Sequence, residues 1–390
     1  MRAFNDGLFT TDTASLNEST LNKLDAKLRR SQPNATKAIE RLISEGKMQT
    51  DVVAPIGVHQ RAENQTPFIT FDANGKVVMS MDDWVLRQND VNIPHRRFTL
   101  HENAIMQVAE KFGIPGGYLK KLSLSPEPWA RDLAADILNN HSYNTHRQRV
   151  LIRAVGEEVR GVLSDQYKRY DARDIVGAFM ESVQQAGGTF VDGHMSDTKI
   201  YLEAMRPEPI IVPTQKNGDI VLCFGSRLST SDYGDGALEV KSWLMHTVCM
   251  NDMTRESQLK RVHLGSRLPD NIQLSQRTYR KDTETMASAI RDITANIFDY
   301  SNIKEQAIAI QRASEKEVDM DKELKNLSRG KITKDEAYQV QKILNRSNPE
   351  DGLYGEGTLW KLANGLTAYA RETEPQRKRE LAEVAGSLLK

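Results

Sequence analysis

The clearest pattern of apolar and polar positions runs from Asp219 to Met253. An apolar run (Ile220, Val221, Leu222, Phe224) leads to a turn at Tyr233–Gly236, and the chain returns through Leu238, Val240 and Trp243 to the cluster Cys249–Met250–Asn251–Asp252. Alternation with period two places successive side chains on opposite faces, so the two arms predict a strand pair. Upstream, Val150–Ala154 and Val159–Leu163 flank Gly156–Glu157–Glu158 as a second hairpin, and Thr189–Val191, Thr198–Ala204 and Ile210–Val212 read as strands. Asp171–Gln185 carries Ile175, Phe179 and Val183 at helical spacing, with Gly187–Gly188 closing it.

The first third is mixed. Strands are expected at Asp51–Val58 and Phe68–Phe71, with Asn74–Gly75 as a hairpin turn before Val77. Helices are expected over Leu16–Leu28, Ala35–Lys47, His101–Phe112 and Glu127–Asn140, with Thr99 and Glu102 as a capping box. From Asp282 the period becomes helical: Thr285–Ile310, Val318–Leu327, Lys334–Leu344, Thr358–Ala370 and Gln376–Leu389. Strands in runs beside helices predict an α+β fold: a central, mostly antiparallel sheet with a packed helix, a small N-terminal α+β module and a C-terminal helical region. The expected divisions are a flexible arm over 1–35, the small module over 36–145, the sheet domain over 146–281 and the helical region over 282–390.

Composition narrows the class. The chain has 390 residues, 39% hydrophobic and 27% charged, with formal net charge zero. Any nucleic-acid face is then a local patch, not a global field. Two cysteines form no disulfide framework and suit a reducing compartment. No window approaches about eighteen consecutive apolar residues, so no membrane contact is expected and the location is read as cytoplasmic.

Charge patterning supplies the candidate chemistry. Arg255, Lys260, Arg261, Arg267, Arg277, Arg280 and Lys281 lie within 27 residues, opposed by Glu256 and Asp270, with His263 and Tyr279 among them. Cations on flexible stems beside hydroxyl and amide donors suit phosphate contact, and an aromatic suits base stacking. The alternative is a solvated connector. A second cluster joins Arg147, Arg149, Arg153, Arg160, Lys168 and Arg169, near Tyr167 and Tyr170. Arg147, Arg149 and Arg153 share one strand face by period, but Glu157, Glu158, Asp165, Asp171 and Asp174 offer local ion pairing. Asp165, Asp171, Asp174 and Asp192 are the carboxylates a metal-dependent nuclease would use. Asp171 and Asp174 also suit a helix N-terminus. Cys249 with His246 is a nucleophile candidate, although a free cysteine on a buried strand is ordinarily a small hydrophobe. No glycine-rich phosphate loop is present; neither a metal nor another cofactor is expected.

The segment VLIRAVGEEVRGVLSDQYKRYDARDIV resembles the domain of unknown function 932 family of phages and plasmids. That family shows an Arg-containing strand, a Ser-Asp-x-Tyr turn (here Ser164–Tyr167) and a short helix. SRLSTSDYGDGALEV and the Cys249 cluster are similar to its later motifs, with Ser231–Asp232 in place of an Asn-Ser pair and Asp252 in place of a glycine. Thr285–Phe298 and Thr358–Tyr369 resemble its closing pieces. The resemblance implies a mobile-element setting and no assigned activity. The function expected is non-enzymatic binding or annealing of single-stranded DNA by a homo-oligomer. The alternatives are a factor that binds a host defence protein and a metal-dependent nuclease.

Overall fold

A computed structural model describes residues 18–58, 67–89, 97–144, 148–247, 249–263, 275–348, 352–353 and 357–389. Among the described residues the fold is α+β, with twelve helices and two mostly antiparallel sheets.

The first sheet contains β1 (Gln49–Ile56), β2 (Ile69–Asn74), β3 (Lys76–Met81), β4 (Arg97–Leu100), β5 (Gln148–Val155) and β6 (Glu158–Ser164), in the order β1-β5-β6-β4-β3-β2. Among the described residues only β4–β6 is a parallel pair. The turn at Asn74–Gly75 forms as expected, with Gly75 at φ 70° where a side chain would be strained. One face packs under α3 (Glu102–Phe112), α4 (Gly116–Ser123) and α5 (Pro128–Asn144), around Phe68, Phe98, Ile105 and Ile152. The expected Thr99–Glu102 capping box does not form. Thr99 lies in β4, and His101 caps α3, its Nδ1 accepting from the Asn103 amide at 3.2 Å.

The second sheet contains β7 (Thr189–Met195), β8 (Ile200–Met205), β10 (Asp219–Thr230), β11 (Leu238–His246) and β12 (Asn251–Arg261), ordered β12-β11-β10-β8-β7, with β9 (Ile210–Pro213) also on β10. On one face, α6 (Ala172–Gln185) and α7 (Gln276–Ile297) cover Leu202, Leu228 and Val240. Further along, α8 (Tyr300–Glu315), α10 (Lys334–Arg346), α11 (Leu359–Ala370) and α12 (Pro375–Ser387) build a core with Leu222, Phe224 and Leu244. The C-terminal helices therefore share their core with the sheet.

Three expectations change. The hairpin at Val150–Leu163 belongs to the first sheet, because β5 pairs with β1 along its whole length, Gln49↔Val155 to Ile56↔Gln148. Residues 18–35, expected in a loose arm, lie in α1 (Glu18–Gly46), one helix where two were expected. Leu24, Leu28, Ala35, Ala38 and Leu42 keep one stripe at helical spacing, and the bare Gly193 of β7 lets it approach: a Cβ there would stand 2.5 Å from the Ala35 Cα. The arm over 1–17 lies outside the described residues. Third, the left-handed turn before β12 falls on Met250 (φ 56°), not on Asp252, which pairs with Met245 inside the ladder.

Candidate nucleic-acid interface

The two segments that carry the Ser-Asp-x-Tyr and Ser231–Asp232 patterns meet where the two sheets join. The Tyr167 hydroxyl donates to the Ser231 carbonyl at 2.9 Å. Arg153 crosses its strand pair to donate to Asp51 at 2.8 Å and reaches the Asp232 carbonyl at 2.8 Å. Arg169 lies 3.3 Å from Asp51 and 4.4 Å over the Tyr279 ring. His263 stacks on Tyr167 at 4.8 Å, and its Nδ1–H donates to the Lys168 carbonyl at 3.0 Å. Asp232 accepts from the Ala172 amide at the start of α6.

Burial sets the electrostatics of this junction. It works against the Arg153 charge, but Asp51 and Asp232 outweigh it and hold that guanidinium protonated. Burial pushes the Asp232 carboxyl up to about 7, with Arg153 opposing and Asp171 and Asp51 adding to the rise. Arg153 sits nearer Asp51 (2.8 Å) than Asp232 (3.8 Å). Burial also lowers His263 and Arg169. Arg153, Arg169 and His263 are thus internal glue, and Tyr167 and Tyr170 are buried rather than offered to a base. That corrects their reading as contact residues: a buried cation already paired with a carboxylate reaches no phosphate. Arg149 is half-buried rather than buried, and is paired with Asp165 at 3.2 Å. Arg255 is half-buried and donates to the Leu389 carbonyl. Lys260 is exposed but pairs with Glu239 at 3.0 Å.

A second set stays outside. Arg261 ends β12, and Arg277, Arg280 and Lys281 open α7; all four are exposed, and none forms an ion pair among the described residues. The junction holds them together: the Lys168 amide donates to the His263 carbonyl at 2.9 Å, and the Thr283 hydroxyl to the Arg169 carbonyl at 2.7 Å. Lys168 is half-exposed at the rim. Ser275 caps α7, whose first turn carries no acid. Cations there oppose the helix macrodipole, which costs stability and concentrates positive potential at one helix end. Arg147 and Arg267 lie outside the described residues. The sequence reading missed that α7 starts at Gln276, so three of these cations share a helical turn and a half; Ser275 was the available signal.

The candidate carboxylates do not converge. Asp165 serves Arg149, Asp171 caps α6, and Asp192 accepts from Asn34. Among the described residues no group of three potential ligands holds a metal site. Cys249 does meet His246, Sγ to Nδ1 at 3.2 Å, with Asn364 Oδ1 3.6 Å from the sulfur. The residue types are those of a thiol–imidazole–amide triad, but all three are buried. Gly352 presses on them so closely that a Cβ would lie 2.9 Å from Nδ1. Burial drops His246 to about 4, so the imidazole is neutral and no imidazolium stabilises a thiolate. The trio is a packed polar knot beside Trp360. Compared with known proteins, the chain matches no family model, no curated protein and no solved structure.

Proposed function

We propose that the chain is a non-enzymatic, homo-oligomeric nucleic-acid-binding protein that engages single-stranded DNA through Arg261, Arg277, Arg280 and Lys281, with Lys168 at the rim. One observation carries the reading: four exposed cations, none in an ion pair among the described residues, lie on two segments that the junction ties together, with Asp174 the acid that feels the Arg280 charge. Fluorescence anisotropy of a labelled oligonucleotide across a salt series tests it. Each lost phosphate contact on a single strand flattens the log–log salt slope by about 0.7. The triple variant Arg277→Glu, Arg280→Glu, Lys281→Glu therefore flattens it by about 2, and an unchanged slope rejects the patch.

A protein-partner reading is favoured by a different surface. Tyr118, Leu124, Trp129, Leu133 and Met106 on and beside α3–α5 are exposed apolar side chains, Trp129 at 63%. Co-purification of one stoichiometric protein, lost on Trp129→Ser, supports it; monodisperse chain with unaltered DNA binding in that variant rejects it.

A further inference from the structure

The face of the second sheet turned away from α6 and α7 is apolar at one end, where Cys223, Trp243 and Met245 pack with Leu24 of α1, and polar at the other, where α1 and α12 wall it. Cross-strand pairs align His194, Tyr201, Ser229, Glu239 and Lys260 in one row. Glu203, Arg227 and Lys241 form the next. Between this floor and α12 lies a cleft of about 330 Å³, which meets a more open hollow of about 500 Å³ beside α1 at Arg379. Volumes of this size suit a small ligand.

The acids of the cleft are already engaged. Glu203 pairs with Arg227 at 2.9 Å, and Glu239 and Glu383 pair with Lys241 at 2.8 and 2.6 Å. Glu380 pairs with Arg377, and Asp235 accepts from the Thr198 hydroxyl. Arg227 is held further by Asp252 and lies 4.8 Å over Trp243. Lys199 and Arg379 remain. Neither forms an ion pair among the described residues, and both sit on one ring: Arg379 3.9 Å and Lys199 4.9 Å from the Tyr201 centroid. Lys37 and His194 add donors from the hollow. A guanidinium stacked on an aromatic face keeps its N–H edge free for two parallel bonds to an oxyanion, and a neighbouring ammonium adds a point charge.

We propose that this cleft binds a phosphate monoester, with Arg379 and Lys199 holding the dianionic group and Tyr201 fixing Arg379. A free mononucleotide and the 5′-phosphorylated end of a strand share this chemistry. The site is separate from the α7 patch and does not depend on it.

Calorimetric titration of the full chain with adenosine 5′-monophosphate, and with adenosine as control, is the test. The nucleotide binds and the nucleoside does not. Losing one charge-assisted contact costs about ten-fold in affinity, so the double variant Lys199→Gln, Arg379→Gln weakens binding about 100-fold, while Arg277→Glu, Arg280→Glu, Lys281→Glu leaves it unchanged. No binding at millimolar nucleotide, or equal binding by the double variant with an unchanged melting curve, overturns the proposal. In the α7 triple-variant background, a 5′-phosphorylated oligonucleotide that binds tighter than its 5′-hydroxyl twin identifies a strand end. Equal binding by those two oligonucleotides, alongside nucleotide binding, identifies the free mononucleotide.

Discussion

Arg153 and Arg169 beneath the junction, and Arg277 and Arg280 above it, are the same kind of residue in similarly basic stretches of sequence. The first two are buried against Asp51 and Asp232; the last two are exposed and without ion-pair partners among the described residues. A cation becomes structural when the fold supplies a carboxylate in the same dry space, and stays available when it does not. Removing the two kinds should therefore have opposite consequences.

The largest effect is expected at Arg153. Arg153→Met strands the buried Asp232 and leaves the half-buried Asp51 with Arg169 alone, and breaking a buried pair from one side costs about 3–5 kcal/mol. Arg277→Met, with nothing to strand, stays within about 0.5 kcal/mol. Urea unfolding of the two variants measures the gap, and similar losses would erase the distinction between glue and patch.

Asp232 sharpens the comparison through pH. Its folded carboxyl sits near 7, against about 3.9 in an unfolded chain. The folded state thus binds the extra proton: this contribution is complete below about pH 4 and disappears as pH rises through about 7. At roughly 1.4 kcal/mol per unit it is worth up to about 4 kcal/mol. His246 runs the other way. Its folded value near 4, below about 6.5 unfolded, gives stability that is full above about 6.5 and lost as pH falls through 4. Asp232→Asn should leave only the rising trend between pH 4 and 7, as read from chemical denaturation at several pH values. A variant that parallels the wild type at every pH would mean that Asp232 is charged throughout.

The smallest effect is the most diagnostic. Arg277→Glu replaces an unfavourable charge at the N-terminus of α7 with a favourable one, which should stabilise the fold by about 0.3–1 kcal/mol. The same change should weaken oligonucleotide binding. Higher melting temperature with lower affinity is the signature of a cation kept for a ligand, and a fall in both would assign Arg277 to the structure instead.

What was readable in the sequence was local. Asn74–Gly75 specified a turn, Asp171 a helix start, and the stripe of Ile175, Phe179 and Val183 a buried helix face, because each depends on neighbours within a few residues. The alternation through β10 and β11 specified a strand pair, and with it the α+β class. The partners of those elements were not readable. β5 finds β1 across the whole first module, and Arg153 meets Asp51 and Asp232 from 102 and 79 residues away. His263 looked like an interface residue until its ring was seen stacked on Tyr167. Lys199, Tyr201 and Arg379 carried no signal, since a lysine, a tyrosine and an arginine drawn from a loop, a strand and the last helix share no spacing. The chain by itself determined the elements and their apolar faces, through backbone period and local capping. Only tertiary packing decided which charges were neutralised and which were left facing solvent, because burial and pairing are set by residues far apart in sequence.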